Sequence, residues 1–137
     1  MTTAREIMTE GVQCIGENDS LVDAAKLMAD LEVGALPICG DDNRLQGVLT
    51  DRDIVVKCLA YGADPREKRA KDLGVGEVVT IGVDDDIQEA LQTMQDHQVR
   101  RLPVIDGHTL VGMISQADIA QQLDTDATGD TVRRISE

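Results

Sequence analysis

The sequence predicts an α/β protein assembled from two tandem copies of one β-α-β-β-α unit, and three observations predict it. The chain matches itself when displaced by 66 residues, each copy carries an amphipathic helical stretch followed by two short apolar runs, and the composition suits one compact domain. Its 137 residues correspond to about one domain of ordinary size, with 42% hydrophobic content to fill a core. There is no Phe or Trp and Tyr61 is the single aromatic, so that core must be built from Leu, Ile, Val, Ala and Met.

The repeat pairs Ala4 with Ala70, Val12 with Val78, Ile15-Gly16 with Ile81-Gly82 and Asp19 with Asp85. It continues through Ala24 and Ala90, Met28 and Met94, Asp30 and Asp96, Val33 and Val99, and Leu36-Pro37 and Leu102-Pro103. One residue is then lost in a turn and the spacing becomes 65, pairing Leu45 with Leu110, Gly47 with Gly112 and Asp53-Ile54 with Asp118-Ile119. The expected organisation is a first repeat over 1–61, a linker over 62–68, a second repeat over 69–123 and a polar, loose tail over 124–137.

A short strand at Ile15-Gly16 opens the first repeat, with Ile81-Gly82 its counterpart. Ser20 precedes a helix as its N-cap, with Asp23 three residues on, and the apolar face is Leu21, Ala24, Ala25, Met28 and Leu31. Asp86 opens the matching helix, with Ile87, Ala90, Leu91 and Met94 as its face. The apolar runs Ala35 to Cys39 and Leu102 to Ile105 are too short for helices and read as strands. Pro37 and Pro103 cannot donate to a ladder, so each belongs at a strand end or on a flank that pairs with nothing. Asp41-Asp42-Asn43 and Asp106-Gly107 supply turns. Second strands follow at Gly47 to Thr50 and Gly112 to Ser115, then helices from Asp51 to Tyr61 and from Gln116 to Leu123.

Charge and composition count against several function classes. With 13 Lys and Arg against 26 Asp and Glu the net charge is −13, which opposes the counterion release that drives duplex binding, and the lack of aromatics removes single-strand stacking platforms. No nucleic-acid partner is expected. No stretch approaches the roughly 20 apolar residues of a membrane helix and the N-terminus lacks an apolar signal core, so a cytoplasmic protein without a membrane partner is expected.

The segments Thr50-Asp51-Arg52-Asp53 and Ser115-Gln116-Ala117-Asp118 stand where a strand hands over to a helix. Each is a capping box and could simply close its helix. The same place presents backbone N–H groups and a positive dipole end to a phosphate, while Asp53 and Asp118 could accept hydrogen bonds from a ribose diol. Both readings stand at this point.

These residues make the sequence resemble a pair of cystathionine-β-synthase (CBS) domains, a Bateman module, over nearly the whole chain. The resemblance is carried by Leu36-Pro37-Ile38 and Leu102-Pro103-Val104, with Gly47 to Asp53 and Gly112 to Asp118. Gly34 to Cys39, Leu49 to Asp53 and His97 to Arg101 further resemble stand-alone proteins of the mycobacterial hypoxic-response type. The resemblance implies two repeats about a pseudo-twofold axis, clefts for an adenosyl ligand such as AMP, ADP, ATP or S-adenosylmethionine, and no required cofactor. It implies ribose on Asp53 and Asp118, phosphate on Thr50 and Ser115, and base walls from Ile15, Leu36 and Pro37 or Ile81, Leu102 and Pro103. Arg52, Arg100 and Arg101 are the matching phosphate partners, since guanidinium groups grip phosphate in bidentate fashion, although a solvated surface pair is the alternative for Arg100-Arg101. The halves differ, because Ala117 replaces Arg52, and Gly34-Ala35 stands where the second repeat has Arg100-Arg101. The resemblance also implies a homodimer joined through the second helices and a regulatory output to a separate, unidentified protein in stress or dormancy. A ligand-free interaction module is the rival reading.

His97 and His108 have no second His or Cys at ligand spacing, so both read as surface residues and no metal is expected. Reduced thiols are the default, yet a βαβ crossover places the first strand beside the strand after the helix, which makes Cys14 and Cys39 a candidate disulfide or redox pair. Cys58 reads as buried packing. No nucleophile, base and orienting group can be assembled, so an enzyme is not expected.

Overall fold

The computed structural model describes residues 1–74 and 78–125. The predicted tail therefore lies outside the described residues apart from Asp124 and Thr125. The elements in chain order are α1 (Ala4–Ile7), β1 (Thr9–Glu10), β2 (Ile15–Gly16), α2 (Leu21–Leu31), β3 (Ala35–Cys39) and β4 (Leu45–Thr50). Helix α3 follows, starting as an α-helix over Asp51–Asp53, widening to a π-helix over Ile54–Cys58 and tightening to a 3-10 turn over Leu59–Tyr61. Then come α4 (Ala70–Gly74), β5 (Ile81–Gly82), α5 (Ile87–His97), β6 (Arg101–Asp106), β7 (Thr109–Ser115) and α6, over 116–125. Among the described residues no helix is long and apolar enough to cross a membrane.

The chain folds into two compact units that cut across the sequence repeat. The first holds Gln13–Val78 with His108–Leu110, and the second holds Met1–Val12, Val79–Gly107 and the chain from Val111 onward. In the first unit β2, β3 and β4 form a sheet in that order, with β2 parallel and β4 antiparallel to β3. In the second the order is β1-β7-β6-β5, with β5 parallel to β6 and β1 antiparallel to β7.

Capping fixes the long helices at both ends. The Ser20 hydroxyl accepts from the Asp23 N–H at 3.1 Å, whereas the Asp86 carboxylate accepts from the Gln88 N–H at 2.9 Å, one residue earlier, both positions being donors that an N-cap side chain can satisfy. Both helices end on a non-glycine residue in the left-handed region, Glu32 and Gln98, each at φ 55°. The next residue closes the turn in both copies, Val33 N–H to Met28 O and Val99 N–H to Met94 O at 3.0 Å. The buried stripe of α2 is Leu21, Ala24 and Met28, while Ala25 and Leu31, expected on the same face, are exposed. On α5, Ile87, Ala90 and Met94 are buried and Leu91 is half-buried.

Both prolines lie inside strands, and the ladder explains it. The Cys39 carbonyl accepts from Glu17 and the Ile105 carbonyl from Val83, so Pro37 and Pro103, two residues earlier, face the same flank. That flank pairs only at Ile38 and Cys39 in β3, and at Val104 and Ile105 in β6, so a missing N–H breaks no bond. The turn that shifts the repeat spacing is a 3-10 turn at Asp41–Asn43 in which Asp42 and Asn43 take φ of 55° and 60°, a conformation short polar side chains tolerate. Its counterpart is shorter, with Gly107 at φ 66°.

Each unit has an aliphatic core that includes an alanine from the other half of the sequence. Ala70 is fully buried with Ile15, Leu21, Ala24, Leu36, Ile38 and Leu49, and Ala4 is fully buried with Ile81, Ile87, Ala90, Leu102, Val104 and Ile114. Their amides are anchored alike, Ala70 N–H to Asp19 O and Ala4 N–H to Asp85 O, both at 2.9 Å. Cys58 is fully buried, and its thiol donates to Ala63 O at 3.4 Å. Beyond α3, Arg66 grips Asp64 through Nε and Nη2 at 3.2 Å each and through its backbone N–H, which holds the Asp64 carboxyl below its usual range. The pair is exposed to solvent, so it adds little to stability.

Cys14, just before β2, and Cys39, at the end of β3, are joined in a disulfide with their Cα atoms 5.7 Å apart. The reduced default therefore fails for this pair, because β2 and β3 run side by side and in parallel, while Cys58 is a free thiol. The bond closes a loop with a sequence separation of 25. Reduction, or Cys14→Ser, is expected to lower unfolding free energy by about 2–4 kcal/mol in urea titrations, with the m-value reporting any change in the unfolded chain.

A second prediction follows from β1, which lies against Gly112. A Cβ there would stand 2.8 Å from the Thr9 carbonyl oxygen and 2.7 Å from the Met8 sulfur. The thioether can move but the backbone carbonyl cannot, so Gly112→Ala should cost about 1–3 kcal/mol and raise hydrogen exchange in β1, measured by denaturation and exchange mass spectrometry.

Candidate functional site

The two strand-to-helix junctions are built alike. At the end of β4 the Thr50 hydroxyl accepts from the Asp53 N–H at 3.0 Å, and the Asp53 carboxylate accepts from the Thr50 N–H at 3.0 Å. At the end of β7 Ser115 and Asp118 make the same reciprocal pair at 3.1 Å each. All four side chains are half-buried. The capping box is therefore formed in both copies, as the local sequence requires.

The junctions differ in what they leave free. In the first, Asp51 N–H donates to Gly34 O at 2.9 Å, Arg52 N–H to the Asp51 carboxylate at 2.8 Å and Asp53 N–H to Thr50, so the first three donors of α3 are all engaged. Lys57 Nζ also lies 3.3 Å from the Asp53 carboxylate. In the second, Gln116 N–H donates to Arg100 O at 2.8 Å and Asp118 N–H to Ser115, but Gln116 replaces Asp51 and, among the described residues, no carboxylate takes the second donor. Arg100, Arg101 and Ser115 line one open groove with Gln116, Ala117 and Ala120, of about 540 Å³. The second junction thus joins a hydroxyl, a carboxylate and two exposed guanidinium groups at the start of a helix, an arrangement suited to a phosphate and a sugar diol.

The remaining sequence candidates fall elsewhere. Arg52 is exposed beside the first junction. Ile15, Leu36, Ile81 and Leu102 belong to the two aliphatic cores, and Pro37 and Pro103 are buried. His97 and His108 are both exposed. Among the described residues no three His, Cys, Asp or Glu side chains come together to hold a metal ion. Sequence reasoning missed the role of Asp51, whose side chain occupies the donor beside it; an acid at the first helical position was the available signal.

Two β-α-β-β-α units, each closing on a Ser or Thr capping box, define a tandem CBS-domain pair. The chain belongs to the CBS-domain family, whose model matches residues 4–59 and 70–124. It is 50% identical over 135 residues to Hypoxic response protein 1 of Mycobacterium tuberculosis, covering 98% of this chain and 94% of that protein. The crystal structure of Hypoxic Response Protein I, which holds two coordinated zinc ions, superposes with a TM-score of 0.83 at 52% identity, over 89% of this chain and 99% of that one. The CBS pair of protein MJ0100, solved with 5′-methylthioadenosine and S-adenosyl-L-methionine, shares the fold with a TM-score of 0.76 at 23% identity, over 92% and 98% of the two chains. A structural zinc takes about four ligands. The described residues of this chain do not bring even three such ligands together.

Because each cap satisfies one helix donor, Thr50→Ala and Ser115→Ala are each expected to cost about 1 kcal/mol in urea unfolding, while Thr50→Ser should stay near the parent protein.

Proposed function

We propose that the chain is a regulatory CBS pair that binds an adenine nucleotide or related adenosyl ligand and passes the signal to a separate protein under stress. The observation that carries this reading is the second junction, where Ser115 lines a groove with Arg100 and Arg101 at the start of α6 and is paired with the half-buried Asp118. In this reading Asp118 accepts from the ribose diol, while Ser115, Arg100, Arg101 and the amide end of α6 take the phosphates. Thr50, Arg52 and Asp53 form the weaker site, because Asp51 and Lys57 already engage its helix start and its carboxylate. The CBS pair that carries methylthioadenosine and S-adenosylmethionine supports the reading through its fold. The output is regulatory rather than catalytic, the chain works in the cytoplasm, and it pairs as a homodimer through the helices that follow the capping boxes, where Val55 and Leu59 are 55% and 52% exposed.

A ligand-free interaction module that responds to oxidation is the second reading, favoured by the Cys14–Cys39 disulfide. In a compartment that keeps thiols reduced, such a bond reports oxidation.

A thermal-shift titration with AMP, ADP, ATP and S-adenosylmethionine separates the two. Ligand at about 100 times its Kd should add roughly 2.7 kcal/mol to apparent stability. The gain should vanish in Asp118→Ala and shrink less in Asp53→Ala, each read against its own ligand-free transition. No shift with any compound at millimolar concentration sinks the ligand reading. Partner capture that changes with reduction, and no longer does so in Cys14→Ser, would carry the redox reading.

A further inference from the structure

The Cys14–Cys39 disulfide presents its two sulfurs unequally. Cys39 stands in the middle strand of its sheet, in register with Gly16 of β2 on one side and Leu45 of β4 on the other, and only 6% of it is exposed. Its carbonyl is fixed as well, accepting from the Glu17 N–H at 3.2 Å. Cys14 lies ahead of β2, outside the ladder, and is only half-buried. The Asn43 carboxamide oxygen lies 3.8 Å from Cys14 Sγ. A disulfide sulfur carries no hydrogen, so that oxygen gains a donor there only once the bond is cleaved. The surroundings are acidic. Asp41 and Asp42 occupy the exposed turn after Cys39, and the Glu17 carboxylate would lie 3.1 Å from a Cβ on Gly40, with Arg44 as the cation that closes the turn.

We infer that Cys14 is a thiol-exchange site, at which a small cationic thiol enters the bond and Cys39 departs as the thiolate. The inference rests on the oxidation-responsive reading above and names its chemistry. Exchange requires a thiolate to reach one sulfur in line with the S–S bond, so attack on Cys39 needs an access that its burial denies, and Cys14 offers the open sulfur. The thiolate forms a bond to Cys14 Sγ, the Cys14–Cys39 bond breaks with its electron pair going to Cys39 Sγ, and Cys39 takes a proton from solvent. A second thiolate then attacks the sulfur of the attached small thiol. That releases the Cys14 thiolate, which takes a proton and donates to Asn43 Oδ1. Two small thiols are thereby oxidised to one disulfide, and the protein bond is reduced by two electrons. Until the second step, Cys39 stays beside Cys14 and can expel the small thiol again, so the modification is reversible.

The test treats the full oxidised chain with cysteamine in native buffer, stops the reaction early with acid, alkylates free thiols with N-ethylmaleimide in denaturant and maps the peptides by mass spectrometry. Cysteamine on Cys14 with maleimide on Cys39 should exceed the reverse pattern by about tenfold or more. A mixture near equality, or cysteamine chiefly on Cys39, overturns the inference. A bond that exchanges only in urea overturns it too, because the Cys14 sulfur would then be closed to solvent. Single variants check the same point without the bond. Cys14 in Cys39→Ser should take cysteamine from cystamine about tenfold or more faster than Cys39 does in Cys14→Ser, with circular dichroism reporting that both variants are folded. At low salt 3-mercaptopropionate should react severalfold more slowly than cysteamine, each rate taken per thiolate and relative to the same thiol on a small neutral disulfide; equal rates overturn the cationic preference. A chain that exchanges at Cys14 while partner capture ignores reduction keeps this inference and loses the oxidation-responsive reading.

Discussion

The structure depends on a buried alanine lent by each half of the sequence to the core of the other. Ala70 completes the core of the first repeat and Ala4 that of the second, and both are fully buried with their amides tied to Asp19 and Asp85. A larger side chain would need space those cores lack, and a missing segment would expose the apolar residues it covers. Neither sequence repeat therefore owns a complete core, and the compact units run across the linker rather than stopping at it.

Most of the fold was legible because it is periodic. The spacing of Leu21, Ala24 and Met28, and of Ile87, Ala90 and Met94, marks both long helices, and β3 occupies the predicted Ala35 to Cys39 run. The failures are local and physical. Ala25 and Leu31 fit the helical stripe yet are exposed, since one helix packed on one sheet buries only a narrow strip, and Ala25 lines the groove beside it instead. The π turn at Ile54–Cys58 has no pattern signal. It depends on the Cys58 carbonyl receiving the Ala63 N–H from beyond the helix and on the Cys58 thiol reaching Ala63 O.

The candidate site was legible as a motif and ambiguous as chemistry. Thr50-x-x-Asp53 and Ser115-x-x-Asp118 are capping boxes in the structure, so their residue types are already accounted for by helix closure. One of the differences between the junctions, Asp51 against Gln116, decides whether the neighbouring carboxylate already holds the second amide. A repeat alignment shows that difference but gives it no meaning until the donor directions are known. The aliphatic candidates illustrate the converse: Ile15 and Leu36 look like walls for a base, and the folded chain buries them in a core.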